Sequence, residues 1–144
     1  MTKTNNVIIF LDIDGVMNSM CYQKKNEPVV VEENKAKILF EIIKETGAKV
    51  VLTSLRRVVE WEELCDLFEK FNITLYDKTP NISFNKAKEI NKWLDEHEDV
   101  ENFVVIDDKD MSECFNEKFV LTNPYYGLTK NKALKVINVL LEGQ

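Results

Sequence analysis

Two aspartates one residue apart close a short apolar run, Val7-Ile8-Ile9-Phe10-Leu11-Asp12-Ile13-Asp14-Gly15. A strand buried on both faces reads as such an unbroken run, and it would deliver Asp12 and Asp14 to its carboxyl edge, where Gly15 lets the backbone turn sharply and approach a ligand. Carboxylates this close repel one another unless a cation or a shared proton intervenes. The pattern therefore suits a divalent cation and a phosphoryl group. Asp and Gly also end strands in ordinary turns, and the D-x-D-G run alone leaves both readings open.

A second apolar run, Phe103-Val104-Val105-Ile106, ends in the acidic pair Asp107-Asp108. If the two runs are neighbouring strands of one parallel sheet, three or four carboxylates converge at the edge where open α/β sheets take their ligands. Turn chemistry does not explain such convergence. Gathering this much negative charge without a cation costs on the order of several kcal/mol. Mg²⁺, a hard ion satisfied by oxygen ligands, is the expected occupant.

Between the acidic motifs lie groups that phosphate chemistry would use. The stretch Leu52-Thr53-Ser54-Leu55-Arg56-Arg57 brings two hydroxyls and the chain's two arginines to the same sheet edge. Hydroxyls and backbone N–H groups at a strand-to-helix junction hold phosphate oxygens, and arginine does so with a bidentate fork; the same hydroxyls would also serve as simple helix caps. Lys86 and Lys88 open the helix before the Asp107 strand, so either one could reach across the site to offset its negative charge. Most lysines on helices are merely solvated. Tyr22, Tyr125 and Tyr126 could stack on a base, although exposed loop tyrosines are common.

The elements that must position these residues alternate between strand and helix. Residues 32–46 carry Ala36, Ile38, Leu39, Ile42 and Ile43 at helical spacing, with Gly47 at the place of a left-handed cap. A strand follows at 49–52, then a helix over 57–70 with Trp61, Leu64, Cys65, Phe68 and Phe71 on its apolar side. Residues 73–76 read as a third strand. Ser83 would cap a helix burying Ala87, Ile90, Trp93 and Leu94, ahead of the 103–106 strand. A fifth strand spans 118–121, and Thr129 caps a last helix that packs Ala133, Leu134, Ile137, Leu140 and Leu141. Such alternation implies an α/β fold with a mostly parallel sheet covered by helices. Residues 18–31 contain a polar loop beside the first acidic motif that could fold over the site as a flap.

Composition frames this reading. With 144 residues, 44% hydrophobic and 31% charged, the chain is expected to form one domain over 1–144 with a sizeable core. A net charge of −6 and a pI near 4.9 argue against a broad electrostatic footprint for nucleic acid or anionic membrane, while leaving room for a local basic site. Cys21, Cys65 and Cys114 are odd in number and widely spaced, which speaks against a disulfide framework or a zinc site and for reduced thiols in the cytoplasm. The stretch Met1–Asn6 leads into the first strand without the features of a secretory signal. No run is long enough to span a membrane. His97, among Asp95, Glu96, Glu98 and Asp99, reads as a solvated surface residue.

These residues in this order resemble the haloacid dehalogenase (HAD) superfamily of aspartate-nucleophile phosphatases and phosphotransferases. Asp12-x-Asp14-Gly15 is similar to its first motif, Thr53-Ser54 to the second, Lys86 to the third and Asp107-Asp108 to the fourth. A narrower resemblance is to the small HAD domain of Swiss Army Knife RNA-repair proteins, carried by Leu11–Asn18, Thr53-Ser54-x-x-Arg57, Lys86-x-x-Glu89-Ile90-x-x-Trp93-Leu94, Ile106-Asp107-Asp108 and Gly127-Leu128-Thr129. Arg56 stands where that group usually shows a tryptophan, and Lys86 where it usually shows an arginine.

The resemblance implies a Rossmannoid three-layer sandwich with five strands in the order 5-4-1-2-3 and no large cap domain. It implies a Mg²⁺-dependent phosphohydrolase in which Asp12 attacks phosphorus to form an aspartyl phosphate and Asp14 acts as acid and base. The metal would be held by Asp12, the main-chain carbonyl of Asp14, Asp107 and, directly or through water, Asp108. Thr53 or Ser54, with Ser54 slightly favoured, would bind phosphoryl oxygens alongside Lys86, and Gly15, Arg57 and Lys88 are the further substrate-binding candidates. The substrate is expected to be a phosphate monoester, on a nucleotide or nucleic-acid end or on a small metabolite. The competing expectation is a phosphate-binding or regulatory module of the same fold with little turnover.

Overall fold

A computed structural model describes residues 6–142; the amino-terminal stretch read above as leading directly into the first strand lies, up to Asn5, outside the described residues. The elements run β1 (Val7–Leu11), α1 (Met20–Gln23), α2 (Glu33–Thr46), β2 (Lys49–Leu52), α3 (Arg56–Val59), α4 (Trp61–Glu69), β3 (Leu75–Lys78), α5 (Lys86–Asp95), β4 (Asn102–Asp107), α6 (Ser112–Phe115), a 3₁₀ turn (Asn116–Lys118), β5 (Phe119–Leu121) and α7 (Lys130–Leu141). All four strand pairings are parallel, in the order β3-β2-β1-β4-β5. This is an α/β, HAD-like sheet flanked by helices, without a large cap, in the expected order read from the other edge.

The period-two alternation of a strand explains the layers. In β1 all five residues are buried, with Val7, Ile9 and Leu11 facing one cluster that takes in Leu39 and Ile42 of α2, Leu64 and Phe68 of α4, and Val136 and Leu140 of α7. Ile8 and Phe10 face the opposite cluster, with Ile90 and Trp93 of α5 and Phe115 of α6. A strand covered on both sides has no polar face to show. That is why its sequence is apolar throughout.

From β1 the chain moves outward through β2 and β3, then returns to β4 on the other side of β1. The strand order reverses there, leaving the crevice in which open sheets bind ligands. The sheet's hydrogen bonding continues one residue past several strand ends. Asp12 N–H donates to Ile106 O, Thr53 N–H to Leu11 O, Thr79 N–H to Leu52 O and Thr122 N–H to Asp107 O. The strands thus set a row of polar side chains along one edge.

Several expected boundaries move. The helix read over 57–70 breaks in two at Glu60, whose φ of −117° and ψ of 22° are not helical; the β-branched pair Val58-Val59 precedes the break and is a weak helix former. The third strand starts two residues later than expected, after a left-handed turn at Asn72. Its polar Asp77 and Lys78 lie on an edge strand, where Asp77 accepts from the Trp93 indole at 2.8 Å and Lys78 covers the Trp61 ring. Asn85, rather than Ser83, caps α5 through its side chain, while Ser83 supports Asn85 from behind. In α7 the buried side is Ala133, Val136 and Leu140; Leu134, 60% exposed, and Leu141 face outward.

The 18–31 stretch is pinned rather than loose at its start. Asn18 and Ser19 are buried, and the N–H groups of Met20 and Cys21 donate to the carbonyls of Pro124 and Tyr125. Residues 23–29 are exposed. His97 is half-buried and stacks flat on Trp93, with ring centroids 3.6 Å apart. Among the described residues no helix is long and apolar enough to cross a membrane.

Candidate active site

The tips of β1 and β4 lie side by side, as the parallel pairing of Leu11 with Ile106 requires. Asp12 and Asp107 are 5% and 0% exposed. Asp12, Asp107 and the half-buried Asp108 each offer a carboxylate oxygen within 4.8 Å of the others. Lys86, the first residue of α5, reaches between two of them, its Nζ 3.0 Å from Asp12 Oδ1 and 2.9 Å from Asp107 Oδ2.

The electrostatics follow from burial and crowding. Burial, reinforced by the neighbouring Asp107 charge, pushes the Asp12 carboxyl from its ordinary 3.8 up to about 7, against the opposing pull of Lys86. Burial and Asp107 likewise raise Asp108. For Lys86, burial lowers the ammonium's pKa, but Asp12 and Asp107 outweigh it and hold the group firmly charged. One lysine against three carboxylates leaves an excess of negative charge.

The D-x-D-G turn is built around two side chains that the sequence reading assigned no role. Asn18 Oδ1 accepts from Gly15 N–H at 3.1 Å, while Asn18 Nδ2 donates to Asp14 Oδ1 and to Val30 O. Thr122 at the end of β5 donates its hydroxyl to Gly15 O at 2.8 Å. Gly15 has φ +84°, and a Cβ there would meet Asp108 Oδ2 at 2.2 Å. Both backbone groups of Gly15 are engaged within the turn, and its bare Cα lets Asp108 lie against it. The signal for Thr122 was its place, a threonine directly after a strand, as Thr53 and Thr79 are.

Asp14 faces outward, with its side chain 58% exposed. Arg56 forks onto it, Nε to Oδ2 at 2.9 Å and Nη2 to Oδ1 at 3.1 Å. Burial alone would raise Asp14, but the hydrogen bonds from Arg56 and Asn18 outweigh it and lower the carboxyl below its usual range. Asp14's carboxylate thus stands apart from the acidic cluster, so any metal role for Asp14 falls to its main-chain carbonyl.

The two hydroxyls after β2 divide their work. Ser54 Oγ accepts from Arg56 N–H, a local turn contact. Thr53 Oγ1 is buried and has no hydrogen-bond partner. An unpaired buried hydroxyl costs about 1–3 kcal/mol, and at a strand tip beside the acidic cluster it suits an incoming oxyanion. Both hydroxyls stay candidates for the phosphoryl oxygens, since Ser54 Oγ only accepts in its turn and keeps its own O–H to donate.

Arg57 is a correction. It is 1% exposed and spends its guanidinium inside the protein: Nε donates to Thr79 O, Nη1 to Thr53 O and Ser54 O, and Nη2 to Pro80 O and Glu89 Oε1. Those five bonds use every N–H that a guanidinium has. Glu89 in turn accepts from the N–H groups of Ile82 and Ser83. The pair fastens α3, the 79–83 loop and α5 together, and no donor remains for substrate. Lys88 also falls away from the site: two residues beyond Lys86 is roughly 200° around a helix, and its side chain is exposed.

The donor set fits a hard divalent cation, with buried carboxylate oxygens, excess negative charge and a glycine kept bare to admit Asp108. The family model of the HAD domain in Swiss Army Knife RNA repair proteins matches residues 8–133. Neither a curated protein nor a solved structure matches the chain significantly. The matched stretch takes in the tips of all five strands, both acidic motifs, Thr53 and Lys86, and the chain belongs to this HAD domain family.

Proposed function

We propose that the protein is a Mg²⁺-dependent phosphohydrolase that cleaves a phosphate monoester through an aspartyl phosphate. The observation that carries this reading is the buried Asp12, set within reach of Asp107 and Asp108 and held by Lys86 at 3.0 Å. Asp12, Asp107, Asp108 and the main-chain carbonyl of Asp14 would hold the ion. When bound, Mg²⁺ offsets the carboxylate charge and polarises the phosphoryl oxygens.

The chain's own groups supply the rest. Lys86 bonds Asp12 Oδ1, which leaves Oδ2 to attack phosphorus in line. As the Asp12–phosphorus bond forms, the ester P–O bond breaks and its electron pair goes to the leaving oxygen, which takes a proton that Asp14, once released by Arg56, has picked up from solvent. Water then gives a proton to Asp14 and attacks phosphorus, and the bond to Asp12 breaks to release inorganic phosphate. Thr53 Oγ1 and Lys86 hold the phosphoryl oxygens through both steps.

A phosphorylated nucleotide or nucleic-acid end is the substrate class we favour. The family's occurrence in RNA repair proteins supports it, as does the Tyr125–Tyr126 pair, whose second ring is exposed. The three cysteines are free, in keeping with a cytoplasmic setting. A second reading, a phosphate-binding module with little turnover, is favoured by one observation: Arg56 occupies both oxygens of Asp14.

Phosphate release with Mg²⁺ from an aryl phosphate, nucleotides and 3′- or 5′-phosphorylated oligonucleotides separates these readings. The wild-type protein releases phosphate and a folded Asp12→Asn variant does not. Equal inertness of the two proteins across the panel would leave the binding module. A KM for oligonucleotides that rises steeply with salt separates a nucleic-acid end from a small metabolite.

A further inference from the structure

Arg56 is the arginine placed to meet a ligand, because Arg57 is fully engaged inside the protein. It lies across the mouth of the site, joining the start of α3 to the turn after β1. Its tip is forked onto Asp14, and Nη1 lies 3.4 Å from Glu60 one turn further along the chain. Both partners are solvent-exposed in part.

In the phosphohydrolase reading this fork poses a difficulty. Asp14 must reach the leaving oxygen, yet Oδ1 is bonded by Arg56 and Asn18 and Oδ2 by Arg56. The contact must open for the reaction to proceed. An exposed ion pair is weakly held, and a guanidinium fork accepts a phosphate or a carboxylate of a ligand as readily as that of a side chain. Glu60 would keep the arginine at the mouth after it lets go of Asp14.

Resting on the phosphohydrolase reading, we propose that Arg56 determines specificity by exchanging Asp14 for a second oxyanion of the substrate, next to the scissile ester. The exchange binds the substrate and frees Asp14 in one movement. Esters that carry an adjacent phosphate or carboxylate are the preferred class, and a bare monoester leaves the fork closed.

Binding tests this apart from turnover. Methylphosphonate, phosphonoacetate and methylenediphosphonate are titrated calorimetrically, with Mg²⁺, into an Asp12→Asn protein bearing Arg56, Arg56→Lys or Arg56→Gln. With Arg56, the second anion tightens binding by about tenfold over methylphosphonate, the scale of one charge-assisted fork. Arg56→Lys keeps part of that gain and Arg56→Gln loses it; whichever diacid gains more identifies the oxyanion as phosphate or carboxylate. With Asp12 restored, Arg56→Gln raises KM for 2-carboxyphenyl phosphate selectively and raises kcat for phenyl phosphate.

Equal affinity for methylphosphonate and the two diacids with Arg56 present would overturn the proposal, as would a parallel loss of all three ligands in Arg56→Gln. Anion discrimination without any phosphate release from wild type would support the Arg56 site and overturn the phosphohydrolase reading instead.

Discussion

Replacing Arg57 separates a structural arginine from a substrate-binding one. Its five N–H groups meet four main-chain carbonyls and the Glu89 carboxylate, all between 2.9 and 3.2 Å. In Arg57→Lys the charge remains but at most three donors replace five, so at least two buried acceptors lose their partners. At about 1–3 kcal/mol for each buried group left unpaired, the variant loses roughly 2–6 kcal/mol. Arg57→Met loses more, because it also strands the Glu89 charge, a change that by itself costs about 3–5 kcal/mol, a large part of the ~5–15 kcal/mol by which a domain is stable. A double-mutant cycle with Glu89→Leu recovers part of that loss, because the stranded charge leaves with its partner. Urea unfolding followed by circular dichroism measures the stability, and phosphate release at a temperature where each variant is folded measures KM. The expected outcome for Arg57→Lys is a lower unfolding midpoint with KM changed by less than about twofold, well under the effect of one lost charge-assisted contact. An unchanged midpoint together with a KM raised by about tenfold or more would refute the reasoning and restore Arg57 to the substrate.

Asp12→Asn abolishes turnover and, in metal-free buffer, stabilises the fold at high pH. With Asp12 raised from 3.8 to about 7, wild type loses stability as pH climbs between those values, by at most about 4 kcal/mol at ~1.36 kcal/mol per pH unit; urea unfolding shows the gap open at pH 8 and closed near pH 4. Gly15→Ala forces a side chain into a left-handed conformation, costing about 1–2 kcal/mol, and into Asp108; Mg²⁺ titration shows weakened affinity, and unchanged affinity would deny Asp108 a part in the metal site. Thr53→Val removes an unpaired buried hydroxyl, so thermal stability is kept or gained while KM for the phosphate ester rises; a loss of ~2 kcal/mol or more would mean that the hydroxyl has a partner within the protein. Lys86→Ala cuts phosphate release severely and Lys88→Ala leaves it alone, as activity assays on the two variants compare directly.

Much of this architecture is visible in the residue pattern because the sheet is covered on both faces. Strands such as Val7–Leu11, with no solvent face, have to be apolar throughout, and each ends where a polar residue can first be tolerated, at the edge. The functional carboxylates therefore announce themselves as the stop signals of strands. Position along a strand is less legible at the sheet's margin: Asp77 and Lys78 belong to β3 although nothing apolar marks them, because an edge strand lets side chains such as theirs reach Trp93 and Trp61. In α7 the pattern supplied more apolar residues than the core takes, and Leu134 lost its place to Val136 through a difference of two positions on the helix.

The two adjacent arginines show what a linear reading lacks. Arg56 and Arg57 are equivalent as a pattern, since either could present a fork at the sheet edge. One step along a helix is roughly 100° of rotation, and that rotation turns Arg57 inward against Glu89 while Arg56 faces Asp14. A charged residue turned inward survives only where every donor is met, and the loop at 79–83 supplies what it needs with the carbonyls of Thr79 and Pro80. The rotation of α3 is set in turn by where β2 stops, through the N–H of Thr53 bonded to Leu11 O. A one-residue slip in that register would put Arg57 in the place facing Asp14, carry Arg56 to the exposed place of Leu55 and turn Val58 into the buried place. Strand register is thus the variable that decides which arginine faces Asp14, and the spacing of residues along the chain does not contain it.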